Sequence, residues 1–174
     1  MAFYAHQTHD SCETITMETS SGLDQLDRRI LQALMASGRA TYDELASAVG
    51  LSASATLRRV KRLEESGVIA GYVALVEPER VGFPLTAYIS VRLAKTGATR
   101  NPIDDFAAAV QAWPEVVDCV ALTGEMDYLL RVLVRDMAHH ARFLMDQLLR
   151  HPSVMDCKTS FQLRRLKATT AVPL

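Results

Sequence analysis

Residues 41–69, TYDELASAVGLSASATLRRVKRLEESGVI, contain two short helical patterns with Gly50 between them. In the first pattern, Thr41 is a good N-cap, and Glu44, three positions later, completes a capping box. Three apolar residues then follow at helical spacing and are expected to face inward: Leu45, Ala46 and Val49. Gly50 suits the turn because glycine accepts a positive φ at little cost. The stretch therefore predicts two helices that meet at a tight turn.

The second helical pattern begins after Ser52, which is also a good N-cap, and ends at Gly67. Its buried stripe is expected at three residues: Leu57, Val60 and Leu63. No acid occurs from Ser52 to Leu63, whereas four cations do: Arg58, Arg59, Lys61 and Arg62. A basic helix alone would equally fit a solvated surface. Capping, glycine turn and one-sided charge together indicate a helix-turn-helix that reads DNA.

The outward face of this second helix supplies the candidate DNA-binding residues. Short side chains in its N-terminal half allow close approach to base edges, and guanidinium groups in its C-terminal half suit phosphate or guanine. The candidates are Ser52, Ser54, Thr56, Arg58, Arg59 and Arg62. Their partner would be double-stranded DNA.

Composition limits the classes of protein to which the chain can belong. Its 174 residues are 49% hydrophobic, which is enough for the cores of one or two small domains. The net charge of −1 excludes a generally basic protein, so nucleic-acid binding must come from a local patch. No apolar run approaches the roughly 18 residues that span a membrane, so no membrane partner is expected. Three cysteines without metal-ligand spacing, Cys12, Cys119 and Cys157, predict reduced thiols in a cytoplasmic protein.

The segments around the helix-turn-helix are expected to be simple. Residues 1–22 are polar and aperiodic and predict a disordered tail, in which His6 and His9 are more often incidental than metal ligands. A first helix is predicted at 24–37, with Asp24 and Asp27 as plain capping residues. Its apolar face would be Leu26, Ile30, Leu31 and Leu34. The helix-turn-helix domain is placed at 23–70.

Residues 71–84 predict a strand at 72–76 followed by a hinge linker, because two prolines and Gly82 lie close together. From Leu85 the pattern is β-α-β-β-α-β. The predicted strands are 85–93, 116–122, 128–134 and 154–163, and the helices start at Asn101 and Asp136. This order predicts a ferredoxin-like sandwich over 85–167, followed by a C-terminal tail at 168–174. The fold class is therefore α+β.

Two finer predictions concern side-chain directions in this second domain. The stripe of the helix after Asp136 is expected to be Met137, His140 or Ala141, Leu144 and Leu148. The last strand is expected to place on one side Met155, Cys157, Thr159, Phe161 and Leu163. The sheet face without helices would leave Tyr88, Val117 and Ala121 partly exposed to solvent. We therefore expect a homodimer in which a second subunit covers this face. The twofold symmetry of such a dimer predicts two operator half-sites about one helical turn apart.

The turn between the second and third strands of this domain carries residues of both hydrogen-bonding types. Backbone N–H groups near Gly124 suit a carboxylate, and Glu125 or Asp127 suits an ammonium group. Both together suit a free amino acid, although an ordinary hairpin with a polar tip fits the same residues. The candidate effector site is Thr123, Gly124, Glu125, Met126, Asp127 and Tyr128.

The motifs of both domains resemble one known family. They are Leu23-Asp24 with Asp27, Gly38-Arg39, Glu44-Leu45-Ala46, Gly50-Leu51-Ser52, Arg59-Val60, Arg62-Leu63-Glu64, Gly67-Val68-Ile69 and, in the second domain, Gly124-x-x-Asp127-Tyr128. In this order the chain resembles the Lrp/AsnC transcription regulators. The resemblance implies a winged-type DNA reader, an amino-acid effector, and homodimers that assemble to a tetramer or octamer with the effector between dimers. Ala53-Ser54-Ala55 departs from a helix start that commonly contains proline.

An enzyme is the alternative. Sirohaem decarboxylases have a similar two-domain architecture and act on the carboxylates of a tetrapyrrole with histidine and basic residues. The local candidates for such a role are Arg131, His139 and His140. An enzyme has no need for a helix that carries four cations and no acid from Ser52 to Leu63, so the regulator is favoured. We therefore expect no catalytic residues, no metal site and no cofactor apart from the effector.

Overall fold

The computed structural model describes residues 22–94 and 101–174. The predicted disordered tail, with His6 and His9, lies outside the described residues apart from Gly22. The chain divides into two compact units. Of the described residues, those up to Tyr72 form one unit together with Thr170–Leu174, and those from Val73 to Thr169 form the other.

The first unit contains three helices: α1 Gln25–Ala36, α2 Tyr42–Val49 and α3 Ala53–Glu65. The predicted caps of α2 and α3 are confirmed, since Thr41 and Glu44 form a capping box and Ser52 Oγ accepts from Ala55 N–H. Gly50 ends α2 at φ 73°, a conformation that other residues rarely adopt. Six buried residues form the core: Ile30, Leu31, Leu45, Val49, Val60 and Leu63.

The segment after this unit corrects one prediction. Residues 72–76 form no strand, and Val73 and Leu75 are 71% and 75% exposed. A strand needs a neighbour to pair its backbone groups, and this segment pairs with none of the strands in the described part of the chain. The linker instead contains one 3₁₀ turn, Pro78–Val81, which ends at Gly82.

The second unit alternates strands and helices as predicted. Its elements are β1 Leu85–Leu93, α4 Pro102–Ala112, β2 Val116–Ala121, β3 Tyr128–Val134, α5 Met137–Arg142 continuing as a π-helical turn Phe143–Leu148, and β4 Val154–Phe161. The strands form one antiparallel sheet in the order β2-β3-β1-β4. This is the predicted ferredoxin-like arrangement, and the α+β fold class is confirmed.

The core of the second unit lies on one face of the sheet. Alternate residues of β1 and β3 are buried there: Ala87, Ile89, Val91, Leu93, Leu130, Val132 and Val134. Phe106 and Val110 of α4 and Phe143 and Leu148 after α5 pack on them. Among the described residues, no helix covers the opposite face. On that side and at the sheet edge, Val117 and Val120 are each 43% exposed.

The predicted stripe of α5 is partly wrong. Met137 is 56% exposed, whereas His139, His140, Phe143 and Leu148 are buried. The helix widens to a π turn at Phe143, and Leu148 follows Phe143 at the five-residue spacing of a π helix. A regular α-helical period therefore misplaces the buried face.

The predicted face of β4 is also partly wrong. Its register shifts so that Arg92 pairs with Asp156 but Leu93 pairs with Val154, which leaves Met155 as an additional residue. Met155 is 65% exposed, and Val154 rather than Met155 packs on the core. This is the effect of a β-bulge, which breaks the alternation of faces. Leu163 lies beyond the end of the strand and is 99% exposed.

Candidate DNA interface and effector turn

One face of α3 lines a shallow open groove on the first unit. Its residues recur three and four positions apart, which places them on one side of a helix. They are Ser54, Leu57, Arg58, Lys61, Arg62 and Glu65. Three of the six carry a positive charge. This positive face is what α3 offers to an anionic partner.

The structure corrects the prediction that Thr56 faces DNA. Its side chain is fully buried, and its Oγ1 donates to the carbonyl oxygen of Ser52 at 3.0 Å. Threonine tolerates this position because the carbonyl four residues earlier accepts from its hydroxyl. Leu57, which was expected in the core, is only partly buried and lines the groove instead. The buried stripe of α3 is therefore Thr56, Val60 and Leu63.

Arg59 also lies off the positive face. Its Nη1 is 2.6 Å from Asp24 Oδ2 and 2.9 Å from Asp27 Oδ1, and its side chain is only 24% exposed. These hydrogen bonds, with Asp24 contributing most, raise the pKa of the Arg59 guanidinium above its ordinary value. Arg59 therefore packs towards α1, which corrects the prediction that it belongs to the outward DNA face.

Arg62 occupies an intermediate position. Its Nη2 is 2.6 Å from Asp27 Oδ2, yet its side chain is 57% exposed and reaches the groove. Asp27 itself is fully buried. We call the four residues Asp24, Asp27, Arg59 and Arg62 the aspartate clamp. The sequence indicates only capping for the two aspartates, although two acids at the start of one helix and several cations in a nearby helix are a signal for such pairing.

The capping role predicted for both aspartates is nevertheless present. Asp24 Oδ1 accepts from Asp27 N–H at 2.8 Å, and Asp27 Oδ2 accepts from Asp24 N–H at 3.2 Å. The Asp27 N–H and then the Arg59 side chain lower the pKa of the Asp24 carboxyl. Each aspartate therefore caps α1 and holds α3.

The start of α3 remains open to solvent. Ser52 and Ser54 are exposed, and their hydroxyl oxygens lie 3.3 Å apart. Ser52 Oγ also accepts from Ala55 N–H at 3.3 Å. Both side chains are small, so a partner can approach the helix backbone closely at this end.

The predicted effector turn projects from the sheet between β2 and β3. Gly124 has φ 125°, and no atom would meet a Cβ added there within 4 Å, so backbone conformation rather than space requires glycine. Thr123, Gly124 and Glu125 are exposed, and Met126 is partly buried. Within residues 22–94 and 101–174, the backbone N–H groups of residues 123–126 have no hydrogen-bond acceptor.

Asp127 holds this turn to the sheet. Its Oδ2 accepts from Leu93 N–H at 2.7 Å, its own N–H donates to the Val91 carbonyl at 2.9 Å, and its carbonyl accepts from Leu122 N–H at 2.8 Å. One carboxylate oxygen is thus already bonded within the chain. The sequence predicted Asp127 as an acceptor for an ammonium group and gave no sign of this structural bond.

Tyr128 contributes mainly to packing. Its ring lies 5.1 Å from that of Phe106 on α4, at an interplanar angle of 46°. Burial raises the pKa of the Tyr128 hydroxyl above its ordinary value. The predicted site residues therefore divide into an exposed tip, residues 123–125, and an anchored base, residues 126–128.

The histidines considered for an enzyme do not form one open site. His139 is buried; its Nε2 lies 3.1 Å from Glu115 Oε1, and its Nδ1 accepts from Arg135 N–H at 3.3 Å. His140 is buried against Phe161, with ring centroids 4.9 Å apart, and this burial lowers its pKa. The part of the chain that the structure describes contains no group of three or more residues able to hold a metal ion. It also contains no helix that is both long and apolar enough to cross a membrane.

Comparison with known proteins identifies the family. The model of the Lrp/AsnC ligand-binding domain matches residues 86–172, and that of a winged helix-turn-helix DNA-binding domain matches residues 23–70. The chain belongs to the Lrp/AsnC family. It is a DNA-binding transcription regulator, as the resemblance predicted.

Individual relatives agree with this membership. The Bkd operon transcriptional regulator of Pseudomonas aeruginosa is 40% identical over 152 residues, which cover 87% of this chain and 98% of that protein. The leucine-responsive regulatory protein of Escherichia coli K12 is 38% identical over 145 residues, 83% of this chain and 87% of that one. A transcriptional regulator from Neisseria meningitidis, solved as a complex with L-Met, is 46% identical with a TM-score of 0.83, covering 87% of this chain and 96% of that one. These Lrp/AsnC relatives are regulators, which confirms the prediction of a regulator rather than an enzyme.

Proposed function

We propose that this Lrp/AsnC regulator binds the major groove through the positive face of α3, with Ser52, Ser54, Arg58, Lys61 and Arg62 towards the DNA. The exposed cations carry the proposal. Among the described residues, Arg58 and Lys61 have no ion-pair partner, so their charges are available to phosphate or guanine. The serines lie at the N-terminal end of α3, where recognition helices contact base edges.

The docking proposal is tested by replacing one cation in each unit. Arg58→Ala should weaken binding to a duplex selected by the wild-type chain from a random-sequence pool. The slope of log affinity against log salt concentration should also become shallower by about 0.9, as expected for one lost phosphate contact. Arg142→Ala removes the same charge from an exposed position on α5 and should leave both quantities unchanged. Equal behaviour of the two variants would contradict the docking.

The turn at residues 123–128 is proposed as the effector site, with a free amino acid as the ligand. Its exposed backbone N–H groups suit a carboxylate, and Glu125 offers a carboxylate for an ammonium group. Asp127 fixes the base of the turn, so the donors are held in place before a ligand arrives. The L-Met complex of the Neisseria meningitidis relative supports an amino acid as the ligand class. No other cofactor is part of the proposal.

The bare face of the sheet is proposed as the dimer interface of a cytoplasmic protein, with tetramers or octamers built from these dimers. Val120 of β2 and Ser90 of β1 flank Leu129 of β3 on this face. Val120→Asp should dissociate the dimer, because it places a charge where apolar side chains would meet. Met145→Asp, at a 59% exposed position on the helical side, is the matched control. Light scattering on the purified chain separates the outcomes, and an unchanged mass for Val120→Asp would contradict this interface.

A further inference from the structure

The aspartate clamp fixes part of the DNA-facing surface from behind. The buried carboxylate of Asp27 accepts three hydrogen bonds, from Arg59 Nη1 at 2.9 Å, Arg62 Nη2 at 2.6 Å and Asp24 N–H at 3.2 Å. A carboxylate removed from water in this way is tolerable only while its charged partners stay in place. The contacts of Asp27 therefore hold both guanidinium groups firmly.

Arg62 differs from Arg59 in what this restraint leaves free. Arg59 is only 24% exposed and is bound to both aspartates. Arg62 is 57% exposed and, within the part of the chain that the structure describes, is bound to Asp27 alone. One end of the Arg62 guanidinium is thus fixed while the rest of the group faces the groove. Arg62 is the one member of the clamp that also reaches the positive face of α3.

A fixed arginine and a mobile arginine contribute differently to DNA binding. A mobile guanidinium adds attraction to any phosphate, whatever the sequence. A guanidinium held in one orientation loses less freedom on binding and presents its donors in a fixed fork, which distinguishes guanine from other bases. Loss of the restraint should therefore reduce discrimination more than overall affinity.

We propose that Asp27 is a positioning residue for DNA discrimination, because it orients the guanidinium of Arg62 at the edge of the α3 face. The inference rests on the proposed docking of α3. Asp27 itself touches no DNA, since it is fully buried. Arg59 serves as the second anchor that holds the Asp27 carboxylate in place.

The test compares two substitutions with the same change of charge in the 174-residue chain. The measured quantity is the ratio of affinities for a duplex selected by the wild-type chain from a random pool and a scrambled duplex of equal length and composition. Asp27→Asn removes the negative charge and replaces one of the two carboxylate oxygens that accept from Arg59 and Arg62 with an NH2 group. It should therefore loosen Arg62 and lower this ratio by at least about fivefold, the lower end of what one well-oriented arginine contributes. Asp24→Asn leaves the Arg62 contact intact and should strengthen binding to both duplexes by a similar factor.

Arg62→Lys provides a second test in which the buried carboxylate of Asp27 is retained. It keeps the positive charge, so binding to the scrambled duplex and its salt dependence should stay unchanged, while the affinity ratio falls. This variant alone decides the question if Asp27→Asn fails to fold.

Two results would overturn the inference. One is an Asp27→Asn chain with reduced thermal stability but the same affinity ratio as Asp24→Asn, which would make Asp27 a stabilising residue only. The other is a wild-type ratio for Arg62→Lys. Arg58→Ala separates this failure from failure of the docking itself, because undiminished binding by Arg58→Ala would remove the docking proposal and the inference with it.

Discussion

Leu93 donates its backbone N–H to the Asp127 carboxylate at 2.7 Å, and this hydrogen bond joins the end of β1 to the turn that precedes β3. The two residues are 34 positions apart. The carboxylate that the sequence suggested as a ligand for an ammonium group therefore also shapes the site. These two roles make different demands on the side chain, because binding an ammonium group requires a negative charge whereas accepting from Leu93 N–H requires only an oxygen.

Substitutions at Asp127 separate the two roles. Asp127→Asn retains an oxygen that accepts from Leu93 N–H, so the turn should keep its shape. Asp127→Ala leaves that N–H without its acceptor and should cost about 1–3 kcal/mol of unfolding free energy. If the role is structural, Asp127→Asn keeps the effector response and Asp127→Ala loses it. Thermal unfolding and effector-dependent DNA binding check both variants. Loss of the response in a normally stable Asp127→Asn chain would show that the ligand needs the charge.

Thr56 and Ser54 should show opposite phenotypes despite being two positions apart. Thr56→Val removes a buried hydroxyl and leaves the Ser52 carbonyl with one partner fewer, so we expect a loss of about 1 kcal/mol in stability and unchanged DNA affinity. Ser54→Ala should leave stability unchanged and weaken DNA binding, because Ser54 lies exposed on the groove. Urea unfolding and duplex titration of both variants check this. A DNA-binding defect in Thr56→Val without loss of stability would contradict the buried assignment.

His140 predicts a loss of stability on the acid side of neutrality. Burial lowers its pKa below the ordinary value of 6.5 in the folded chain. Between these two pKa values the unfolded state binds the proton more readily, so the stability present above pH 6.5 declines as the pH falls towards the folded pKa. His140→Phe should remove this contribution while keeping the ring contact with Phe161.

The measurement for His140 is the change in unfolding free energy between about pH 8 and about pH 5, on either side of the ordinary histidine pKa. The wild-type chain should lose more stability over this interval than His140→Phe. His140 Nε2 has no hydrogen-bond partner among the described residues, so its replacement leaves no new polar group unsatisfied. Equal pH dependence of the two chains would mean that His140 does not couple to folding.

Much of the fold follows from local rules that are readable in the sequence. Thr41 with Glu44, and Ser52 alone, cap helices through contacts within three residues. The order of strands and helices from Leu85 onward leaves few sheet topologies, and the observed β2-β3-β1-β4 order is the one expected for that alternation. Such features depend on neighbours in the chain, so sequence patterns capture them well.

The buried stripe of α3 shows how a small error in period misplaces a site residue. Leu57, Val60 and Leu63 recur at i, i+3 and i+6, and with 3.6 residues per turn this spacing drifts steadily around the helix. Thr56 with Val60 and Leu63 recurs at i, i+4 and i+7, which stays on one side, and this is the stripe observed. Apolar character favoured Leu57 over Thr56, although the period favours Thr56.

Other features depend on contacts that sequence spacing does not encode. Asp27 meets Arg59 and Arg62 across 32 and 35 positions, so its burial follows from the packing of α1 on α3. The bulge at Met155 and the π turn at Phe143 each change a regular period within one element. Residues whose burial a simple periodic pattern mispredicts therefore lie where tertiary packing alters the local geometry.

The most direct measurement is a thermal-shift screen of the 174-residue chain against each of the twenty amino acids. A ligand at 100 times its dissociation constant adds about 2.7 kcal/mol to native stability, which is readily detected. We predict that at least one amino acid raises the unfolding temperature of the wild-type chain and that Asp127→Ala loses this shift. If none of the twenty raises it, an amino-acid effector at residues 123–128 is contradicted.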